Sequence, residues 1–475
     1  MIQIWLLESL ALLIPLYLGW QLVVLLERKS QRYFPKLLKL SLAFGLGIGV
    51  VSWLMFINSL ISKQFCLGGI TLIVIMLGLL ISLINRRLSK QPGHKLSYEF
   101  IPIYLSGKLY NWMKWLFIIF IMIQCIYVFG ETMITPFVHW DSWAIWGLKG
   151  RIFYTEHSTP LSYFQLHSRE FGAPDYPLLV PLSETWLALW LNTWNEPAVK
   201  LLSPLFYSSL LLLCYYFIRS RERNNSFYPW LFTFFLATIP QLASNATLVL
   251  ANIPLIYYSF GSFIFLFWWV ETKQLGFLIY ASLFAGLGMW TKNEGLPLFL
   301  ITGIVLFYFS WKKHFAQGSR LKNISWLLSL YVIPAVGIFL PWLLFKHMLN
   351  VQNQYISWNR LSYPEVYLHL SQLPTMFTII GREMFIWERW NILWIALIPL
   401  FVLYWIKRKH SVKIQINAAL TYIILYLVTL MGVFMVYPAS VVYCMRAIHR
   451  QLLHIVPEMV VLIYLLTITP DREIS

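Results

Sequence analysis

This sequence has little charge. Only 12% of its 475 residues are Asp, Glu, Lys or Arg, about half the share of an ordinary soluble domain. With a mean hydropathy of +0.66 and apolar runs of about 20 residues from end to end, this scarcity excludes a soluble protein. Strict apolar/polar alternation is missing as well, which excludes a membrane β-barrel. The four cysteines (Cys66, Cys125, Cys214 and Cys444) show no CxxC spacing and read first as free thiols on apolar helices, with a Cys66–Cys444 disulfide near the outer face as the alternative; no Cys/His cluster suggests a metal. Neither a short internal repeat nor the inverted repeat common in transporters is visible. The first apolar run, Ile2 to Leu26, is long and lacks a small-residue cleavage site, so no cleavable signal is expected.

What is abundant is apolar and aromatic surface, 59% and 18% of the residues. The runs predict an all-α, polytopic membrane helix bundle of about thirteen spans, near 3–26, 38–60, 66–85, 115–134, 199–218, 228–243, 246–270, 275–290, 295–311, 324–346, 391–406, 414–436 and 451–469. The net charge of +17 does not point to nucleic acid, because the basic residues sit in short loops between spans, as membrane orientation requires. Clusters around Arg28–Lys36, Arg86–Lys108, Arg219–Arg223, Lys312–Lys322 and Lys407–Lys413 are all placed on the cytoplasmic side by simple alternation. The segment 177–195 is apolar enough to cross, yet crossing would put the Arg219 cluster outside; a partly embedded helix reconciles the two. The chain divides into an N-terminal three-span unit with a cytoplasmic loop, 1–114, and a core, 115–475. Two long outer segments, 135–198 and 349–390, are rich in Trp, Tyr and Phe and predict juxtamembrane helices at the interface.

The unusual polar residues gather on the outer side. The stretch TPFVHWDSWAIWGLKGR, 135–151, holds Asp141, Lys149 and Arg151 among three Trp; Asp175 and Glu184 follow. The turn WTKNEG brings Lys292 and Glu294, and MRAIHRQLLH brings Arg446 and Arg450. Ionisable groups at membrane depth are costly and usually face partners or a wet pocket. Each has a plainer reading: Asp141 as a helix cap, Lys149 and Arg151 as interfacial anchors, Lys292 with Glu294 as a local ion pair. Arg446 and Arg450 share a helical face and lie against the positive-inside trend, which suits phosphate binding. His449 and His454 read as structural.

In this order the pieces resemble the GT-C superfamily of membrane glycosyltransferases, in the branch of protein O-mannosyltransferases and lipid A aminoarabinose transferases. WDSWAIWGLKGRIFY stands where those proteins carry an acidic residue after an early span. DYPLLVPLSETWLALW, AVKLLSPLFYSSLLLLCYYF, ANIPL, WTKNEG and RQLLHIVP follow as their later motifs do. The likeness covers roughly 115–470. Two positions depart: the usual Asp-Glu pair is Asp141-Ser142, and the later acidic residue before Pro is Asn252. Both put a divalent cation in doubt, and no cofactor is assigned.

The resemblance implies an inverting transferase that moves a sugar from a polyprenyl-phosphate donor to an acceptor hydroxyl at the outer face of the plasma membrane. It implies Asp141 as the base, and a cationic set (Arg446, Arg450, Lys149, Arg151 and Lys292) on the donor phosphate. Asp175, Glu184 and Glu294 are secondary acidic groups for the acceptor, whose class (glycan, lipid or protein) stays open. A flippase of a lipid-linked sugar, or a ligase or polymerase of polyprenyl-diphosphate glycans, are the alternatives.

Overall fold

A computed structural model describes residues 2–30, 32–88, 94–95, 108–165, 172–222, 227–316, 321–351, 370–407, 413–436 and 440–467. Of these residues, nearly all ordered backbone is helical. A two-residue parallel pairing, Arg32–Tyr33 with His94–Lys95, is the exception. Helices dominate because a backbone in hydrocarbon must satisfy its own hydrogen bonds.

In chain order the helices are α1 Ile2–Ser30, α2 Lys36–Ser62, α3 Leu67–Arg87, α4 Lys108–Ile134, α5 Leu148–Thr155, α6 Leu161–Gln165, α7 Leu179–Leu191, α8 Glu196–Lys200, α9 Leu202–Arg219, α10 Phe227–Ala237, α11 Pro240–Thr247, α12 Asn252–Thr272, α13 Leu275–Thr291, α14 Gly295–Ala316 and α15 Leu321–Met348. Leu373–Met384, Trp387–Trp390, Leu393–Lys407, Lys413–Val436, Ser440–Leu452 and Val456–Thr467 complete the set. Among the described residues, ten helices are long and apolar enough to cross a membrane. The protein is therefore an integral, multi-pass membrane protein. Helices α7, α10, α13 and Leu393–Ile406 are apolar but shorter.

Helix α12 is the axis of the bundle, with every residue from Asn252 to Trp269 buried. Being apolar all round, it suits a position surrounded by other helices. Its tyrosines reach across to neighbouring backbones: Tyr257 OH donates to Ser41 O at 2.7 Å and Tyr258 OH to Gly45 O at 2.7 Å. From α13, Tyr280 OH donates to Val23 O at 3.0 Å while its ring stacks on Phe265, centroids 4.4 Å apart. Each such interhelical bond contributes about 0.6 kcal/mol. The first two helices are thus built into the core, and Trp186 Nε1 donates to Ala11 O at 2.8 Å.

Two glycines set the crossing of α1 and α2. A methyl group at Gly19 would stand 1.9 Å from Ala43 O, and one at Gly47 would stand 2.0 Å from Pro15 O. Small residues permit this approach of two backbones in lipid, and backbone atoms cannot rotate away as a side chain can. Gly47→Val is expected to push the pair apart at a cost of about 3 kcal/mol or more, read as a lowered melting temperature in detergent.

The bundle has two distinct ends. At one, Gly276 packs on the backbone of Lys29 and Ser30, Lys39 pairs with Glu27 at 2.7 Å, Arg28 donates to Leu88 O and Arg221 pairs with Glu271 at 2.7 Å. This basic end gathers the Arg28, Arg86 and Arg219 clusters; most of the Lys407–Lys413 cluster lies outside the described residues. At the other end, Phe65 N donates to His157 O at 2.5 Å and Asn391 Nδ2 to Thr238 O at 2.7 Å. The segment 177–195 resolves into α7, 13 residues long and so about 20 Å. It is buried along its length and turns back at Asn192, whose φ of 51° ends the helix.

Candidate functional site

The chain leaves α4 and is pinned at once. Lys200 Nζ donates to Thr135 O at 2.5 Å, and Glu196 Oε1 accepts from Phe137 N at 2.6 Å. This anchors the loop that delivers Asp141. Asp141 then opens a π-helical turn, Asp141–Gly147, which runs straight into α5. Ser142 Oγ donates to the His139 carbonyl at 2.7 Å, and Asp141 N to His139 Nδ1 at 3.2 Å. The three tryptophans part company here. Trp140 and Trp143 stand 51% and 41% exposed as an edge-to-face pair, whereas Trp146 is buried with its ring 5.4 Å from Tyr176.

Asp141 Oδ2 accepts from Arg450 Nη1, and each of the two side chains is about one-quarter exposed. Arg450 comes from Ser440–Leu452, more than three hundred residues away. The next residue, Gln451, donates to Glu294 Oε1 at 3.1 Å. Glu294 pairs with Lys292 at 2.8 Å, and Lys292 Nζ also donates to Asn252 Oδ1 at 2.9 Å. His454 Nε2 lies 3.2 Å from that same oxygen. Asn252 Nδ2 donates to Asn245 Oδ1 at 2.8 Å, and Tyr426 OH contacts both Gln451 O and His454 Nδ1. One polar network thus joins the start of α12, the α13–α14 turn and the 449–454 segment, with Asp141 at its edge.

A second cluster adjoins it through Asn293, whose Nδ2 donates to Asp175 Oδ2 at 2.7 Å. The other oxygen of Asp175 is buried without a partner among the described residues. Lys149 is fully buried; its Nζ donates to Ala173 O at 3.0 Å and lies 5.8 Å from the Trp146 ring centroid. Burial pushes the Lys149 ammonium down to about 7, against the pull of Asp175. Burial raises Asp175, against Lys346, Lys149 and Asn293. Burial also lowers His139; Asp141 opposes this and Arg450 adds to it.

The remaining sequence candidates lie elsewhere. Arg151, two residues from Lys149, is exposed and outside both clusters. Arg446 is exposed one helical turn before Arg450, next to Val442 and Met445, which are 49% and 61% exposed. Glu184 is buried in α7 with neither carboxylate oxygen bonded among the described residues. Among those residues no three His, Cys, Asp or Glu side chains group as metal ligands would.

No protein-family model, curated protein or solved structure matches the chain. Sequence reasoning missed Gln451, Asn293, Asn245 and Tyr426 as members of the network. Asn252 stands out in the sequence only as a lost acid, and it is the hub. One signal was available: in RQLLH, Arg450, Gln451 and His454 fall at positions that share a helical side.

Glu294 makes the network acid-sensitive. Burial would raise its carboxyl, but Lys292, His454 and the hydrogen bonds outweigh burial and hold it down at about 2, against 4.5 ordinarily. Between those values the unfolded chain binds more protons than the folded one, so stability falls as pH falls. Glu294→Gln is expected to flatten that slope below pH 4.5, as followed by thermal unfolding across pH.

Proposed function

We propose that the protein is an inverting membrane glycosyltransferase of GT-C type, taking a sugar from a polyprenyl-phosphate donor to an acceptor hydroxyl. The observation that carries this reading is the pairing of Asp141 with Arg450, set against a network drawn from four distant parts of the chain. A carboxylate beside a guanidinium, at the rim of the bundle and flanked by exposed Trp140 and Trp143, offers a base and a phosphate-binding cation together.

In this reading the chain crosses the membrane about thirteen times: the ten long helices plus α10, α13 and Leu393–Ile406, with α7 embedded but not crossing. Alternation then puts the basic end in the cytoplasm and the Asp141 end at the outer face of the plasma membrane.

The donor phosphate would compete for Arg450, with Arg446 one turn away beside lipid-facing side chains. This exchange frees Asp141. The acceptor O–H gives its proton to Asp141 Oδ2 as its oxygen attacks the anomeric carbon from the side opposite the phosphate. The carbon–oxygen bond to phosphate breaks, and the charge left on the polyprenyl phosphate is held by the two arginines. Lys149 and Arg151 have no part in this step: one is enclosed with Asp175, and the other faces away. Lys292 and Glu294 act as the frame that holds the site. Asp175, whose buried oxygen has no partner, is the better placed acidic group for positioning an acceptor.

The test is product analysis with purified protein in proteoliposomes, using a labelled polyprenyl-phosphate sugar and a membrane extract as acceptor source. Label moved to a new covalent product supports the reading. Label that crosses the bilayer still attached to its lipid identifies a flippase instead.

A further inference from the structure

A cavity of about 240 Å³ lies at the basic end, remote from Asp141. It is walled by the last turns of α12, the later part of α14 and the first turns of α15. Its polar lining comes from Trp269, Lys273, Ser310 and Asn323. Trp269 and Ser310 are 3% and 1% exposed, and Trp269 Nε1 and Ser310 Oγ are buried with no hydrogen-bond partner among the described residues. Each such orphan costs about 1–3 kcal/mol unless a ligand answers it. The Lys273 ammonium stands 4.6 Å from the Trp269 ring centroid, on a residue whose φ of 59° ends α12.

Most of the lining is apolar, with Phe309, Trp326 and Leu327 among it; the polar groups set into it include an indole N–H and an ammonium, which can only donate, with a hydroxyl and an amide. A ligand that brings acceptors and negative charge is the complement. Its surroundings are those of a lipid. Trp326 at the mouth is 51% exposed, and Phe307 and Trp311 on the adjoining face of α14 are each 43% exposed. Aromatic side chains at this level mark the membrane–water boundary, and basic pockets between helix ends on the cytoplasmic side suit anionic headgroups.

We propose that this cavity binds the phosphodiester headgroup of an anionic membrane lipid, whose acyl chains run along the exposed aromatic face of α14 and α15. The bound lipid would tie together the ends of three helices, one of them the central α12. This inference is independent of the catalytic reading.

Native mass spectrometry of the full chain in detergent, titrated with phosphatidylglycerol or phosphatidylcholine, tests it. The expected result is one tightly retained phosphatidylglycerol, preferred over phosphatidylcholine and not displaced by excess inorganic phosphate. Lys273→Gln and Trp269→Phe should each weaken retention about tenfold, the size expected for losing one hydrogen bond to a charged group. Lys273 is exposed, so its variant keeps the fold. Equal retention of both lipids, or retention unchanged in both variants, would overturn the site. Displacement by inorganic phosphate would overturn the lipid as occupant.

Discussion

On the glycosyltransferase reading proposed above, Asp141→Asn is expected to lose sugar transfer by about 10²–10⁴-fold, the contribution of a positioned general base, while the protein stays folded. The asparagine keeps the shape of the side chain and one oxygen for Arg450, but it takes up no proton. Its effect should fall on kcat with the donor KM little changed, because the variant leaves in place Arg446 and Arg450, the proposed phosphate ligands. Stability should hardly move: Arg450 is about one-quarter exposed, so water takes over part of what the carboxylate supplied. A purely structural Asp141 would give the reverse pattern, a lowered melting temperature with transfer per folded molecule unchanged. Measuring both on one preparation separates the two.

Lys292→Met should have the largest effect on stability, about 3–5 kcal/mol, the usual cost of removing one partner of a buried ion pair. The Lys292 and Glu294 side chains are only 11% and 19% exposed. Methionine fills the space of the lysine stem, so packing is not the issue. The variant strands Glu294 with Gln451 alone, and leaves the Asn252 oxygen to His454. The loss should spread to Arg450, which sits beside Gln451 on the same helix. A double variant, Lys292→Met with Glu294→Leu, should recover part of the stability, and the difference measures the coupling. Equal destabilisation in the single and double variants would show that the two residues act separately.

The membrane class and the span-forming runs were legible because hydrophobicity and run length report directly on burial in lipid. The 290s turn and the 449–454 segment could be matched to Asp141 because alternation places them at one end. Which side chains bond was not legible. Arg446 and Arg450 look equivalent at four residues apart, yet one pairs with Asp141 and the other is exposed. Lys149 and Arg151 look like twin cations, but adjacent faces of α5 send one into the protein and the other out. Asn252 carries no charge and drew attention only as a missing acid; its role depends on three partners from separate helices, which no local pattern encodes. Glu184 stands in an apolar helix and is sealed there, an outcome set by how α7 packs on its neighbours.

The distance in sequence between Asp141 and Arg450 has a consequence for biogenesis. The acidic members of the network are synthesised first, and the glutamine that meets Glu294 and the arginine that meets Asp141 follow them by 157 and 309 residues. Until Ser440–Leu452 docks, Asp141 lacks its cation and Glu294 lacks Gln451. Completion of the network thus waits on Ser440–Leu452, and a nascent chain stalled before residue 440 would present Asp141 without its cation, while Glu294 already has Lys292.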